Sequence, residues 1–300
     1  MELWVVFTIA AAATQALRTA VQRRMISTIG NLGASYIRFS YAFPIAWLFS
    51  LLYSNFNDTA LPDLSINFWV WINLAALTQV IFTLLLVQLF SHRSFAAAVA
   101  FSKTEVLQTA IFEALILGVV VTLQTGAAIA LGVFATVLLS FAKANLAFIN
   151  LRAAIFSRQV AIGLAAGAFL GFCTVCYGAA LHSMIGGDVI GNAMYAAAIG
   201  TTIQAVCFGI YIFIVRREQF IASFVEWRQC SMAGVWAATT SICWFAGFAL
   251  YSVAPVRAVG QIELLFSVGF SVLYFKERIS RVEFTAIALL ATSIIMVLLD

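Results

Sequence analysis

Long apolar runs separated by short polar stretches dominate this chain. A membrane-spanning α-helix needs about 20 mostly apolar residues, and ten runs come close to that length. The strands of a transmembrane barrel would alternate apolar and polar residues instead, so continuous apolar runs predict helices. The predicted spans are 3–22, 33–53, 66–91, 95–118, 122–141, 159–182, 189–215, 231–252, 255–275 and 281–299.

Two segments of the chain repeat each other. Residues 94–105 read SFAAAVAFSKTE and residues 252–263 read SVAPVRAVGQIE, so that Glu105 aligns with Glu263 at an offset of 158. The same offset places the fifth predicted span on the tenth, which predicts two repeats, 1–150 and 151–300. An odd number of crossings per repeat inverts the second relative to the first, as in many secondary transporters. The predicted fold is therefore an all-α membrane protein with ten transmembrane helices in two inverted five-helix repeats.

Composition and charge place the chain in a membrane and orient it. Hydrophobic residues make up 64% of the 300 residues and charged residues only 9%, whereas charged residues form about a quarter of an ordinary soluble domain. Thirteen of the 16 Lys and Arg residues fall in the five loops that follow the odd-numbered spans or within a few residues of them. Such basic loops stay in the cytoplasm. We therefore expect an integral, multi-pass plasma membrane protein (the inner membrane in a bacterium) with both termini on the non-cytoplasmic side. The net charge of +4 is thus a topology signal and gives no reason to expect nucleic acid as a partner.

The candidate chemistry lies in ionisable side chains inside the predicted spans. A charge at the centre of an inserted helix costs at least about 2.5–3.5 kcal/mol, so such residues face the bundle interior. Glu105 and Glu263 are related by the repeat, and we expect them at equivalent depths on opposite sides of a central cavity. There they would hold a substrate amine or exchange protons. Alternatively, each glutamate pairs with a nearby base and locks its helix. The natural partners are Lys103, which could also gate a cavity, and Arg257, which could also be a surface anchor.

Further polar and aromatic residues fall inside the predicted spans. Arg38 could bind a substrate carboxylate or anchor the end of its helix. Each buried amide either contacts a substrate or holds a neighbouring helix, and each aromatic ring either stacks on a cation or fills the core. The stretch 218–229 is either a short interfacial helix or a polar connector. The predicted substrate-binding or proton-coupling residues are Glu105, Glu263, Lys103, Gln108, Gln261, Arg38, Trp236, Trp244 and Tyr195.

Three features make the sequence similar to the drug/metabolite transporter superfamily, and within it to EamA-type members. The second span opens with GASYIRFSYAFPIAW, which resembles the family's arginine near the start of that helix, here Arg38. The third and fourth spans meet in a tight turn followed by the small residues of SFAAAVAFSKTEVLQTAIFEALILG. The last two read VRAVGQIELLFSVGFSVLYFKERISRVEFTAIALLATSII, in which Glu277 stands in the family's Gly/Lys-Glu-Arg turn. The first half departs from this pattern, with Gly118 and Val119 where the second half has Lys276 and Glu277. Many family members are also described with both termini inside, unlike the orientation that the charges favour here.

The resemblance implies a secondary transporter that moves a small polar metabolite across the membrane by alternating access. It suggests an amino acid, an amine or a related compound, with export favoured and with proton coupling through a glutamate or substrate exchange as the driving step. The alternatives are an uptake permease of the same fold and a membrane-embedded lipid-handling protein. The sequence contains no catalytic constellation, phosphate-cradling glycine loop or metal-ligand cluster. We therefore expect no enzyme activity, cofactor or metal; the expected partners are the lipid bilayer and the substrate.

Overall fold

The structure is a computed structural model that describes residues 2–89, 101–143, 158–275 and 280–300, and nearly all of these residues are helical. The helices are α1 Leu3–Ser40, α2 Ala42–Asn57, α3 Ile66–Leu89, α4 Glu105–Leu117, α5 Leu123–Lys143, α6 Arg158–His182, α7 Val189–Val215, α8 Arg217–Val225, α9 Trp227–Leu250, α10 Val253–Gly260, α11 Ile262–Phe275 and α12 Arg281–Leu298, and the strands are β1 Asp63–Leu64 and β2 Met184–Ile185.

Within the described residues, seven helical stretches are long and apolar enough to cross a membrane. Six of these stretches are α3, α5, α6, α7, α9 and α12. The seventh, Leu3–Asn57, comprises α1 and α2 together. This confirms the prediction of an α-helical, multi-pass membrane protein. The count of ten spans stays a prediction, because α4, α10 and α11 have only 13, 8 and 14 residues and because residues 95–100 of the fourth predicted span lie outside the described residues.

The first two predicted spans are joined differently from the sequence expectation. The predicted loop between residues 22 and 33 is helical, and α1 is broken only at Gly30, whose backbone has φ 74° and ψ 172°. The break exposes the backbone N–H groups that open the next turn, which the helix itself cannot satisfy. Gln219 of α8 supplies the acceptor, since its Oε1 accepts from the N–H groups of Leu32 and Gly33 at 3.1 and 3.2 Å.

The predicted second span, 33–53, is interrupted at Tyr41, where α1 ends and α2 begins. Pro44 explains the interruption, because a proline ring clashes with the carbonyl four residues earlier, here that of Ser40. In the segment 218–229, the alternative of a short helix is confirmed by α8. Its location at a membrane interface stays a prediction.

The described chain forms two compact units. Unit 1 comprises Met1–Val80 and Cys176–Ser252, and unit 2 comprises Ile81–Val175 and Val253–Asp300. Each unit thus takes segments from both halves of the sequence, whereas the predicted division into 1–150 and 151–300 rests on the repeat and stays a prediction.

Each unit has its own apolar core. In unit 1, the core joins α1 to α9 and is built around Met25, Ile29, Ala34, Ile37, Cys230 and Ala233. Also in unit 1, β1 and β2 form a two-stranded antiparallel sheet that pairs Asp63 with Ile185. In unit 2, Leu139 of α5 packs with Val268 of α11 and Ala286 of α12. The helices α5 and α12 are further tied by the Ser293 hydroxyl, which donates to the carbonyl of Ala128 at 2.7 Å.

Candidate functional site

The candidate site lies in unit 2, where α4 and α10 pack side by side. Glu105 stands in the first turn of α4 and Arg257 in the last turn of α10. The Arg257 guanidinium donates to Oε1 of Glu105 and forms an ion pair with it, although the two side chains are only 11% and 5% exposed. The interpretation of Arg257 as a surface anchor is therefore wrong. For Glu105, the structure shows the alternative in which the glutamate pairs with a nearby base.

Both helices of this pair adjoin an interruption of the helical backbone. A turn at Lys103 and Thr104 precedes α4, and a turn at Gln261 separates α10 from α11. In these turns the backbone N–H bonds to the carbonyl three residues earlier instead of four. The N–H of Thr104 donates to the Phe101 carbonyl, and that of Gln261 donates to the Ala258 carbonyl, both at 3.2 Å. Lys103 and Gln261 are 158 residues apart, which is the offset of the sequence repeat.

Two predicted amides lie at these interruptions, and each uses only part of its hydrogen-bonding capacity. Gln108, one turn after Glu105, donates to the Thr104 hydroxyl at 3.3 Å and to the Leu164 carbonyl at 3.4 Å. Gln261 accepts from the hydroxyl of Thr136 at 2.9 Å. Among the described residues, the buried atoms Oε1 of Gln108, Nε2 of Gln261 and Oε2 of Glu105 have no hydrogen-bond partner. The site therefore offers two acceptors and one donor beyond its internal contacts.

Sequence reasoning missed a second carboxylate in this helix pair. Glu113 of α4 is 1% exposed, and it accepts from the backbone N–H groups of Val253 and Ala254 at 2.6 and 2.8 Å. These two groups open α10, where the positive end of the helix dipole also favours an anion. Glu113 and Glu105 lie eight residues apart, about 12 Å along a helix axis, and they hold the two ends of α10. The available signal was only a second acidic residue inside an apolar run.

The glycine at position 171 allows α6 to pack closely against the start of α4. A Cβ atom at Gly171 would lie 3.1 Å from the carbonyl oxygen of Glu105 and 3.1 Å from both the backbone nitrogen and the hydroxyl of Thr109. The Thr109 hydroxyl donates to the Glu105 carbonyl at 2.8 Å. The first turn of α4, from Glu105 to Thr109, is thus packed closely against α6, which fixes the backbone that carries the Glu105 carboxylate.

The other predicted residues of unit 2 differ from Glu105 in their surroundings. Glu263 stands in the first turn of α11 and is partly exposed, whereas its repeat partner Glu105 is buried. Lys103, in the turn before α4, is also partly exposed. The expected arrangement of the two glutamates around one cavity stays a prediction, and so does a gating role for Lys103.

Four predicted residues belong to unit 1, and three of them have side-chain contacts with different neighbours. The indole N–H of Trp244 donates to Oε1 of Gln15 at 3.0 Å. The ring of Tyr195 meets the ring of Trp47 edge to face at 5.4 Å. The guanidinium carbon of Arg38 lies 4.4 Å from the centre of the Phe39 ring. The remaining residue, Trp236, is partly buried in α9. Packing between helices accounts for the contacts of Trp244 and Tyr195, whereas Arg38 contacts the next residue of its own helix; a role in substrate binding stays a prediction for all four.

Unit 1 also contains a buried polar cluster from three helices. The Tyr177 hydroxyl of α6 donates to Oε1 of Gln79 on α3 at 2.9 Å, and the Gln204 amide of α7 donates to both. For buried amides of this kind, the sequence left two roles open, contact with a substrate and packing of a neighbouring helix. Their mutual contact agrees with the packing role, because polar side chains at membrane depth hydrogen-bond across helices.

Comparison with known proteins shows the fold and no family. No protein-family model matches the chain, and no curated protein matches it. A solved structure, described only as "Crystal structure of protein", is similar with a TM-score of 0.71 over 98% of this chain and 98% of that one, at 13% sequence identity. The arrangement of helices therefore occurs in an experimentally solved protein, while the resemblance to the drug/metabolite transporters stays a prediction.

Proposed function

We propose that this chain is a secondary transporter that moves a small polar metabolite across a membrane by alternating access. One observation carries the proposal: a buried ion pair, Glu105 with Arg257, lies beside two interruptions of the helical backbone. Ionisable residues at membrane depth are costly and are typical of substrate or ion pathways. Irregular backbone at that depth is tolerated where it is buried in protein or lines a water-filled cavity.

The open polar atoms of the site suit a small polar ligand. Oε2 of Glu105 and Oε1 of Gln108 accept hydrogen bonds, as an ammonium group requires, and Nε2 of Gln261 donates one. Such a set favours an amine, an amino acid or a related compound, in agreement with the class that the sequence resemblance suggests. Exchange of a proton at Glu105 or Glu263 would couple transport to a proton gradient. The alternative to proton coupling is the exchange of one substrate for another across the membrane.

The helix interruptions also support the inverted-repeat arrangement. Discontinuous helices at corresponding positions of two repeats form the central site of many secondary transporters. Here the interruptions at Lys103 and Gln261 correspond through the repeat offset of 158. We infer two five-helix repeats, 1–150 and 151–300, that move against each other around the site. We further infer a plasma membrane location, the inner membrane in a bacterium, with both termini outside and export as the favoured direction.

Transport in proteoliposomes tests the proposal. A thermal-shift screen of the purified full-length protein against a metabolite panel first identifies a stabilising ligand, and its transport is then followed together with the pH inside the vesicles. Glu105→Gln and Glu263→Gln are each expected to reduce substrate-driven pH change. Because Glu105→Gln alone leaves a buried guanidinium without its carboxylate, the doubly neutral variant Glu105→Gln/Arg257→Gln provides a second test of the same site.

The control is Glu218→Gln, which removes an exposed carboxylate in unit 1 and should leave transport unchanged. Unchanged transport in all the site variants would remove the ion pair from the mechanism. The same vesicles separate the alternatives: inward-only flux indicates an uptake permease, and transfer of a labelled phospholipid without metabolite flux indicates a lipid-handling protein.

A further inference from the structure

The helix α8 connects the ends of two candidate spans. α7 ends at Val215 and α9 begins at Trp227, so the nine residues of α8, Arg217–Val225, lie at the end of both. A helix of this length is about 13 Å long. If α7 and α9 both cross the bilayer, this short connector must lie at its surface.

One face of α8 is fixed to the rest of unit 1. Gln219 bonds the broken turn of α1, and the Tyr41 hydroxyl donates to the carbonyl of Ser223 at 2.9 Å. Phe220 packs against Tyr36 with ring centres 5.5 Å apart, and Ala222 packs on the α1–α9 core. These contacts hold α8 in one orientation, which also determines which of its residues point away from unit 1.

The outward side of α8 carries exposed apolar side chains, of which Phe224 also meets the rings of Tyr36 and Tyr41 with centres 6.2 Å apart. Ile221, Phe224 and Val225 are 49%, 46% and 68% exposed, and Trp227 at the start of α9 is 56% exposed. These side chains would be unfavourable in water as a contiguous patch. At the membrane interface, apolar side chains enter the acyl boundary and tryptophan is enriched.

Five exposed arginines lie at α8 and on helices that adjoin it. They are Arg23 and Arg24 of α1, Arg216 and Arg217 at the start of α8, and Arg228 in the first turn of α9. Arg217 and Arg228 lie beside aromatic rings, 5.2 Å from the centre of Phe213 and 5.6 Å from that of Trp227. Arg24 is next to Met25, which belongs to the same core as Ala222. Arg217 and Arg228 therefore lie next to the exposed apolar residues, and the other three arginines belong to the same or adjoining helix ends.

We propose that α8 and its flanking arginines form a binding surface for anionic phospholipids. The guanidinium groups hold the phosphate of the headgroup, for which arginine geometry is well suited, and the acyl chains cover Ile221, Phe224 and Val225. Two carboxylates lie on the same surface: Glu218 and Glu226 line a groove of about 430 Å³ together with Ile221 and Val225 of α8 and Thr28 of α1. They are outnumbered by the five arginines, so the local field favours an anion. The proposal concerns unit 1 alone and does not rest on transport.

Quenching of Trp227 by brominated lipids tests the surface. The full-length protein is placed in phosphatidylcholine nanodiscs that contain an equal fraction of brominated phosphatidylglycerol or brominated phosphatidylcholine. The difference from the Trp227→Phe variant isolates this one tryptophan. We expect brominated phosphatidylglycerol to quench Trp227 more strongly than brominated phosphatidylcholine does. This preference for the anionic lipid should disappear at high salt. Each basic residue near an anionic surface contributes about fivefold in affinity, so Arg217→Gln/Arg228→Gln should reduce the preference for the anionic lipid about 25-fold.

Two further variants separate the proposal from simpler explanations. Arg158→Gln/Arg281→Gln removes two exposed arginines of unit 2 that the sequence places on the same membrane side, and it should keep the preference. Arg217→Lys/Arg228→Lys keeps the charge and should retain most of it. Equal quenching by the two lipids, no quenching by either, or an equal loss in the unit 2 variant would each overturn the proposal. Competition by inorganic phosphate without lipid would identify a soluble anion as the ligand and would overturn it too.

Discussion

Replacement of Glu113 tests how the helix pair at the candidate site is held together. Glu113 is buried and accepts from the N–H groups of Val253 and Ala254, the first two residues of α10. The third residue, Pro255, has no N–H group. One carboxylate thus satisfies every backbone donor of the first three positions, in an eight-residue helix that is buried almost throughout.

The expected cost follows from these contacts. A buried donor left without an acceptor costs about 1–3 kcal/mol, so Glu113→Ala should lower the free energy of unfolding by roughly 3–6 kcal/mol once the new cavity is included. Glu113→Gln keeps one acceptor oxygen and loses the charge, and about half that cost is expected. Either value is large against a typical stability of about 5–15 kcal/mol.

Equilibrium unfolding in mixed micelles, followed by circular dichroism, measures the effect. Glu218→Gln serves as a control, because this exposed carboxylate should change stability by less than about 0.5 kcal/mol. If Glu113→Ala fails to fold, the comparison of Glu113→Gln with Glu113→Asp still reports on the cap. Stabilities of both Glu113 variants within about 0.5 kcal/mol of the unmodified protein would refute the role assigned to this carboxylate.

Three further predictions concern backbone strain, packing and pH. Gly30→Ala should lower the unfolding temperature more than Gly118→Ala, because both glycines have positive φ but only at position 30 would the new Cβ lie 2.5 Å from the side chain of Gln219 of α8. Equal losses in the two variants would contradict the close packing of Gln219 against Gly30. Gly171→Leu should disrupt unit 2 and abolish the stabilisation by the ligand. Gly126→Leu should be tolerated, because the nearest neighbouring atom lies 3.9 Å from a Cβ added there. Intact ligand binding by Gly171→Leu would refute the close approach of α6 to α4. Two threonine hydroxyls lower the pKa of Asp300 below its ordinary value of 3.8, so the stabilisation is present above that value and is lost as pH falls through the lowered pKa in the folded state. The small difference in unfolding temperature between the unmodified protein and Asp300→Asn should therefore shrink only below pH 3.8; a difference that disappears nearer neutral pH would show another group to be responsible.

The helix positions follow closely from the sequence, because the length of an apolar run is a local property. The seventh predicted span, 189–215, coincides with α7, and the tenth, 281–299, differs from α12 by one residue. Prediction was poorer where a helix is broken. The apolar pattern continues through Gln261, and the turn there depends on backbone geometry that hydropathy does not record.

The candidate site was only partly accessible from the sequence. Glu105 stands out because a charge inside an apolar run needs a compensating partner, and Arg257 was one of two natural choices. Which of the two is used depends on the packing of α4 against α10, and Lys103 stands at the adjacent turn, partly exposed. Glu113 carries the same signal, an acid inside an apolar run, but its partners could not be predicted, since they are backbone groups that every residue carries.

The sequence alone determined that this is an α-helical membrane protein with polar residues inside its spans, because the transfer of each side chain into lipid is set by its own chemistry. The tertiary structure decided which of those residues meet. Helix ends, interruptions and close approaches such as that at Gly171 bring residues 152 positions apart, Glu105 and Arg257, into one ion pair. Such pairing depends on the relative positions of helices, which no local pattern in the chain specifies.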